Sequence, residues 1–225
     1  MELTFYGQSC FSVTVNGKIL LFDPFISPNE LASHIDIKEI KADYILLSHG
    51  HYDHVADVEV IAGNTGAIII GSFEVATWFG KKGFKNHTMN TGGKWKFDFG
   101  TVKCVNAIHS SSMPDGSYGG NPMGFIIIND EKNFYYSGDT ALTMDMQLVP
   151  LFASIDFCIL PIGDNFTMGY EDAAEAAKMI GCDTVIGVHY DTFGFIKIDH
   201  RKAMEHFSNK GVDLLLPPVG NTMSI

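Results

Sequence analysis

Basic residues are scarce in this chain. Fifteen Lys and Arg stand against 26 Asp and Glu, a formal charge of −11, and a surface of that sign repels phosphate backbones and anionic membranes. A general nucleic-acid binder and an RNA-processing role are therefore disfavoured. No apolar run approaches the roughly 18 residues of a membrane-spanning helix. The opening Met1-Glu2-Leu3-Thr4-Phe5-Tyr6-Gly7 has neither the basic flank nor the apolar stretch of an export signal. Cysteine is sparse too. Cys10, Cys104, Cys158 and Cys182 lie far apart with no C-x-x-C, the pattern of reduced core thiols rather than of disulfides or a zinc knuckle. No low-complexity stretch, charge block or Pro/Ser-rich linker divides the chain. The expectation is one domain over residues 1–225, cytoplasmic, acting on a small molecule with neither nucleic acid nor membrane as partner; a homo-oligomer is left open.

What is present is enough apolar material for a sizeable core: 46% hydrophobic and 18% charged residues with a mean hydropathy of +0.10, the balance of a folded chain. Short apolar runs predict strands at Leu3–Tyr6, Phe11–Val15 and Ile19–Phe22, the last two joined by the hairpin dipeptide Asn16-Gly17. Further strands are expected at Asp43–Ser48, Ala67–Ile70, Trp95–Phe97 and Val102–Ala107, and a helix across Phe73–Lys82. The second half repeats the style, with strands at Phe125–Ile128, Phe134–Tyr136, Ile155–Leu160, Thr184–Val188 and Val212–Leu216. Helices are expected at Glu171–Ile180, stopped by Gly181, and at Asp199–Ser208. Strands lead and helices follow in each half, which suggests an α+β fold of two packed sheets with helices outside, a four-layer αβ/βα sandwich.

The chemistry concentrates in Ser48-His49-Gly50-His51-Tyr52-Asp53-His54. It follows a buried strand and precedes Val55–Ile61, where a helix could open. Four potential metal ligands occupy six positions. Histidines two apart on an extended segment point the same way, Gly50 permits a sharp turn between them, and Asp53 and His54 can reach a neighbouring point. Two ions held about 3.5–4 Å apart is the geometry of two-metal hydrolytic sites. With nine His and 17 Asp in the chain, chance produces H-x-H-x-D-H in about one such sequence in a thousand; the bland alternative is a polar loop whose histidines only cap a helix.

With this motif the chain resembles the metallo-β-lactamase superfamily, whose hallmark is H-x-H-x-D-H followed by a later His, an Asp and a final His. His109 follows Val102–Ile108, Asp139 sits in Tyr136-Ser137-Gly138-Asp139-Thr140, and His189 follows Val185–Val188. Asp23 in Leu21-Phe22-Asp23-Pro24 matches an early aspartate that supports the ligands without being one. His109-Ser110-Ser111-Ser112, Tyr118-Gly119-Gly120-Asn121-Pro122 and Pro161-Ile162-Gly163-Asp164-Asn165-Phe166-Thr167-Met168-Gly169 look like the ascorbate-6-phosphate lactonase-like branch, and within it a group of small metal-dependent hydrolases of the UPF0173 type. The resemblance implies the αβ/βα sandwich with a metal site at one edge. It also implies that His49, His51 and His109 hold one divalent metal, that Asp53, His54 and His189 hold a second, and that Asp139 bridges them. Imidazole and carboxylate ligands suit zinc, manganese, iron or nickel; zinc is the default for a three-imidazole site with an open position, and some lactonase-like relatives use manganese.

The function so implied is a hydrolase whose metal-activated hydroxide attacks a small ester or lactone, with Asp53 or Asp139 orienting the water or moving its proton. A phosphodiester is the nearest rival at the same dinuclear site. An iron-dependent oxidoreductase and a sensor with a dead site are the readings from other classes. Ser110 to Ser112 invite a serine-nucleophile reading, but no G-x-S-x-G elbow surrounds them; hydrogen bonding near the ligands or contact with substrate suits them better. Asp164 either lines the pocket or caps a helix, and Met168 is a candidate pocket residue by its loop position. Met113–Pro122 looks like a mobile loop over the site. Asp191 either supports the ligands or bonds its own loop, and Tyr52 either borders the pocket or packs. His34, His87, His200 and His206 read as solvated surface histidines.

Overall fold

The computed structural model describes residues 1–225. Three antiparallel strands begin it: β1 (Glu2–Gly7), β2 (Cys10–Val15) and β3 (Lys18–Phe22), with β2 and β3 joined through Asn16 and Gly17 at φ 48° and 75°. Both turn residues lie in the left-handed region that a two-residue hairpin requires. The chain then alternates strand and helix: β4 (Tyr44–Leu46), α1 (Tyr52–Val55), α2 (Val58–Thr65), β5 (Ile68–Ser72), α3 (Phe73–Gly80) and β6 (Asn86–Met89). A second cycle repeats the plan. Antiparallel β7 (Lys94–Phe97), β8 (Gly100–Asn106), β9 (Met123–Ile128) and β10 (Phe134–Tyr136) precede parallel β11 (Phe157–Pro161), α4 (Tyr170–Ile180), β12 (Thr184–Val188), α5 (His200–Asn209) and β13 (Asp213–Leu215). The final β14 (Thr222–Ser224) crosses back to pair with β1. The sheet orders are 14-1-2-3-4-5-6 and 13-12-11-10-9-8-7.

The two sheets meet through aromatic rings. Phe11 and Phe22 of the first stack at 4.5 Å and receive Tyr136 of the second edge-on, at 5.0 and 5.6 Å; Phe125 and Phe134 close on Phe22 from the same side. Each such ring removes some 150–250 Å² from water, so this layer contributes much of the apolar stabilisation. On the outer face of the first sheet, Val58, Ile61, Val75 and Phe79 of α2 and α3 pack in one cluster with Leu21, Ile45 and Ile69. On the second sheet, α4 buries Ala173, Ala174, Ala176, Ala177 and Ile180, and α5 buries Ala203 and Phe207. The small alanines bring α4 close against β11, whose five residues are all buried, as expected of a parallel strand covered on both faces. The four-layer expectation is met.

Three local features depart from the sequence reading. The helix expected at Val55–Ile61 is two short helices broken at Asp57, because the Asp57 carboxylate turns inward to accept from the Ile26 and Ser27 N–H groups at 2.5 and 2.9 Å and from the Ser27 hydroxyl. Strands β6 and β14 went unpredicted; both are polar edge strands whose pairing, not their pattern, defines them. Met144–Leu151 winds as a 3-10 segment containing Pro150. All four cysteines are buried and free, as expected.

Candidate metal centre

Every motif residue stands just beyond the C-terminal end of a strand, at one edge of the sandwich. Asp23 follows β3, the His49–His54 stretch follows β4, His109 lies past β8, Asp139 past β10 and His189 directly after β12. Loops leaving strands here carry side chains from both sheets to one place. Asp139 reaches it because Gly138 takes φ +62°, where a Cβ would come within 2.8 Å of the Ser48 Cβ and 3.0 Å of the Met123 carbonyl oxygen. Gly50 plays a different part from the one expected. Its φ is not left-handed; a Cβ there would instead meet the Met113 Sδ at 2.6 Å and the Ser112 carbonyl oxygen at 3.0 Å. The residue supplies room for a neighbouring chain rather than a sharp turn.

Two triads result. One ligand atom from each of His49, His51 and His109 lies within 4.8 Å of the others, and the same holds for Asp53, His54 and His189. Asp139 touches both groups: its Oδ2 is 3.0 Å from His189 Nε2, 3.2 Å from His54 Nε2 and 3.8 Å from His109 Nε2. A third grouping, Asp23 with His49 and His54, meets the same distance and runs across these two.

The electrostatics of the halves differ. Burial, reinforced by the charge of neighbouring His54, holds the His49 pKa well below the usual histidine range, and burial lowers those of His51 and His109. These imidazoles are neutral, with lone pairs to donate; His49 Nε2 faces His51 Nδ1 at 3.0 Å. In the second half, burial opposes charge on His54, but Asp139, Asp53 and Asp23 outweigh it and raise its pKa well above the usual value. His189 is lifted to about 9 against its own burial, chiefly by Asp139. Asp139 and Asp53 stay ionised despite burial, held down mainly by His189 and His54 respectively. Carboxylates thus draw positive charge to this spot. His54 Nε2 and Asp139 Oδ1 are buried with no hydrogen-bond partner, a costly state for polar atoms that a coordinated cation relieves. The donor set fits divalent metal ions.

Four residues hold these ligands in place, and Asp23 is the hub. Fully buried, its Oδ1 accepts from the Ser48 N–H at 2.8 Å, and its Oδ2 from the Ser48 hydroxyl at 2.5 Å, the Tyr136 hydroxyl at 2.5 Å and His54 Nδ1 at 2.9 Å. Receiving the Nδ1 proton leaves His54 Nε2 as the nitrogen aimed at the metal. Tyr136, whose ring belongs to the intersheet core, thereby ties that core to the site. Gln8 donates from Nε2 to Asp53 Oδ2 at 2.9 Å, and its backbone carbonyl oxygen accepts the His189 backbone N–H. The sequence reading identified Asp23 but missed Gln8, Ser48 and Tyr136. Ser48 and Tyr136 were within reach, flanking the motif residues on strand ends; Gln8 sits at a left-handed φ of 52° that no local pattern announces. Replacing Asp23 with Ala is expected to weaken metal binding roughly 10–100-fold, and to lower thermal stability by stranding donors worth about 1–3 kcal/mol each. Metal titration and calorimetry on one preparation check both; unchanged affinity would contradict the assigned role.

Other sequence candidates fall out differently. Ser110 lines the cavity over the site, its Oγ 3.5 Å from His51 Nε2, whereas Ser111 accepts from the Gly50 N–H and donates to the Gly119 carbonyl. Asp164 neither lines the cavity nor caps a helix. It is exposed at φ +61°, its carboxylate accepts the Asn165 N–H, and the helix that follows is capped by Gly169. Met168 is fully buried in the main core and away from the cavity; its apolar side chain is better placed there than on a polar loop. Met113–Pro122 does not cover the site. Met113 is buried under Gly50, and Ser112 bridges to Tyr118. Asp191 bonds its own loop, accepting the Ile198 N–H and pairing with His200 at 2.6 Å. His200 is thus paired rather than simply solvated, while His87 packs on Trp95 and Phe97, and His206 on Tyr170. Tyr52 borders the cavity.

Comparison with known proteins shows the family and the fold. A family model described as a beta-lactamase superfamily domain matches residues 18–190. A Flavobacterium johnsoniae protein named a UPF0173 metal-dependent hydrolase is 54% identical over 225 residues, covering 100% of both chains. Among solved structures, the metallo hydrolase Igni18 of Ignicoccus hospitalis superposes with a TM-score of 0.89 at 32% identity, over 99% of this chain and 97% of that one. An isothiocyanate hydrolase from Delia radicum gut bacteria superposes with a TM-score of 0.80 over 100% and 99%, at 20% identity, which is a likeness of fold.

Proposed function

This chain belongs to the beta-lactamase superfamily and is a metal-dependent hydrolase, and from that premise we propose that it hydrolyses a small ester or lactone at a site holding two divalent metal ions, zinc before manganese, iron or nickel. The observation that carries the reading is the Asp139 carboxylate, within 3.0 to 3.8 Å of imidazoles from both triads at the base of a cavity of about 880 Å³. His49, His51 and His109 would hold one ion, Asp53, His54 and His189 the other, and Asp139 both. Bound there, the ions would supply Lewis acidity and lower the pKa of a coordinated water from 15.7 toward about 7.

The chain's own groups do the rest. Asp53 is ionised, lines the cavity and has one oxygen already fixed by Gln8; it takes the proton from the attacking water and returns it to the leaving oxygen. The neutral His51 and His109, on the cavity wall, border the reacting carbonyl. Cytoplasmic location and a small-molecule substrate belong to the same proposal, as does indifference to nucleic acid, which the −11 charge supports.

A panel of lactones, esters, thioesters and phosphodiesters, assayed with metal content measured on the same sample, tests the substrate class. Carbonyl substrates are expected to turn over fastest. Phosphodiesters turning over faster than every ester would overturn the proposal, as would bound iron with oxygen uptake.

A further inference from the structure

The wall of the cavity is chemically divided. Its floor is the His and Asp cluster, but the mouth carries Tyr52, Phe166, Phe193 and Phe195. These rings are not spare core: Phe195 is 79% exposed, Tyr52 58% and Phe166 53%. Single exposed apolar side chains are ordinary, but several around one opening form a patch that marks contact with something apolar.

The collar is also built. Phe25, itself buried, bridges two of its members, with its ring 6.0 Å from Tyr52 in an edge contact and 6.1 Å from Phe193. The loop bearing Phe193 and Phe195 is tied at its base by Asp191, whose N–H donates to the Ile196 carbonyl and whose carboxylate holds the Ile198 N–H and His200. Ile196, next in the chain after Phe195, is fully buried. Phe166 stands on a tight turn in which Asp164 and Asn165 both take left-handed φ values, 61° and 57°, and Asp164 accepts the Asn165 N–H. Ordering of this kind lowers the entropy a ligand must remove on binding.

Away from the His/Asp cluster the wall offers no cationic side chain. Besides the metal-site carboxylates it carries Glu30, and neither Lys nor Arg lines it. The chain's only arginine, Arg201, lies on α5. A phosphate or carboxylate on the part of a substrate remote from the reacting bond would lose its hydration among rings and beside Glu30 with no cation to replace it.

We propose that the substrate is uncharged and carries an apolar arm, aryl or alkyl, which the ring collar of Tyr52, Phe166, Phe193 and Phe195 holds while the reacting carbonyl sits over the His/Asp cluster. This rests on the hydrolase reading above and narrows it. Among carbonyl substrates, the collar selects by the arm and not by the bond that breaks.

The test uses the metal-loaded protein and three lactones that differ only in the arm: γ-butyrolactone, γ-phenyl-γ-butyrolactone and a γ-butyrolactone bearing a phosphorylated arm. The phenyl lactone is expected to exceed the unsubstituted one in kcat/KM by roughly 10–100-fold, and the phosphorylated one to trail the phenyl. Phe166→Ala and Phe195→Ala should each cut the phenyl-to-unsubstituted ratio by about 10-fold. Trp95→Ala, a comparably exposed ring on β7 outside the cavity, should leave the ratio alone. A second readout needs no turnover: phenethyl alcohol, which has no bond to hydrolyse, should bind in saturation-transfer NMR and lose that signal in both Phe variants. If no lactone is hydrolysed but phenethyl alcohol binds at the collar, the ester and lactone reading fails and the collar stands. Preference for the phosphorylated arm, or a ratio and a binding signal indifferent to both Phe changes, would overturn the collar.

Discussion

Asp139→Asn is expected to lower hydrolysis by about 10³-fold or more, since Lewis-acid stabilisation at such a centre is worth several kcal/mol and each 1.36 kcal/mol is a factor of ten. Asp139 is the one side chain whose oxygen stands within 3.8 Å of ligand nitrogens in both triads. An amide of the same shape keeps an oxygen there but removes the negative charge that helps draw cations to both halves. Metal content per protomer should fall with activity. The fold should persist, because Asp139 lies beyond the end of β10 and outside the aromatic layer between the sheets, and an unchanged far-ultraviolet circular dichroism spectrum checks that. Near-normal turnover with full metal content would show that the bridge is assigned to the wrong residue.

Chelation should eliminate turnover, and re-addition of the right cation should restore it, whereas the triple change of Ser110, Ser111 and Ser112 to Ala should reduce turnover by roughly 10–100-fold without removing it. The competing serine mechanism needs a hydroxyl held by a general base. Ser110 comes nearest to one, at 3.5 Å from His51 Nε2, a distance at the limit of hydrogen bonding. That nitrogen belongs to a group that can hold a metal. Ser111 is already committed between Gly50 and Gly119, so its removal should disturb the backbone beside His49 and His51 rather than delete a nucleophile. Activity that survives stringent chelation, or an acyl group trapped on any of the three, would defeat the metal-centred mechanism.

Hydrophobic alternation was enough to place most strands, because a residue's preference for one face of a sheet is local information. Phe134–Tyr136 and Thr184–Val188 appear as expected, and α4 follows from its alanine-rich face. The His49–His54 cluster was equally accessible, because four ligand-type residues seldom gather in six positions by chance, and His109, Asp139 and His189 then followed from the resemblance. Where the reading failed, the cause was contact with distant chain. Asp57 broke a helix because it satisfies Ile26 and Ser27, and Met168 entered the core although its neighbours are loop residues.

By itself, then, the sequence determined the layer architecture, written in periodicity, and the His49–His54 cluster, written in residue types at short spacing; the places of His109, Asp139, His189 and Asp23 came from the family resemblance that this cluster carries. Only the tertiary structure decided what surrounds them. It placed Gln8 on Asp53, 45 positions away, and the Tyr136 hydroxyl on Asp23, 113 positions away. It also drew Tyr52 of α1, Phe166 and the Phe193–Phe195 loop together into one collar. The physical reason is that hydrogen bonds and ring contacts depend on distances of a few ångströms between loops, which sheet pairing sets and sequence separation does not reveal.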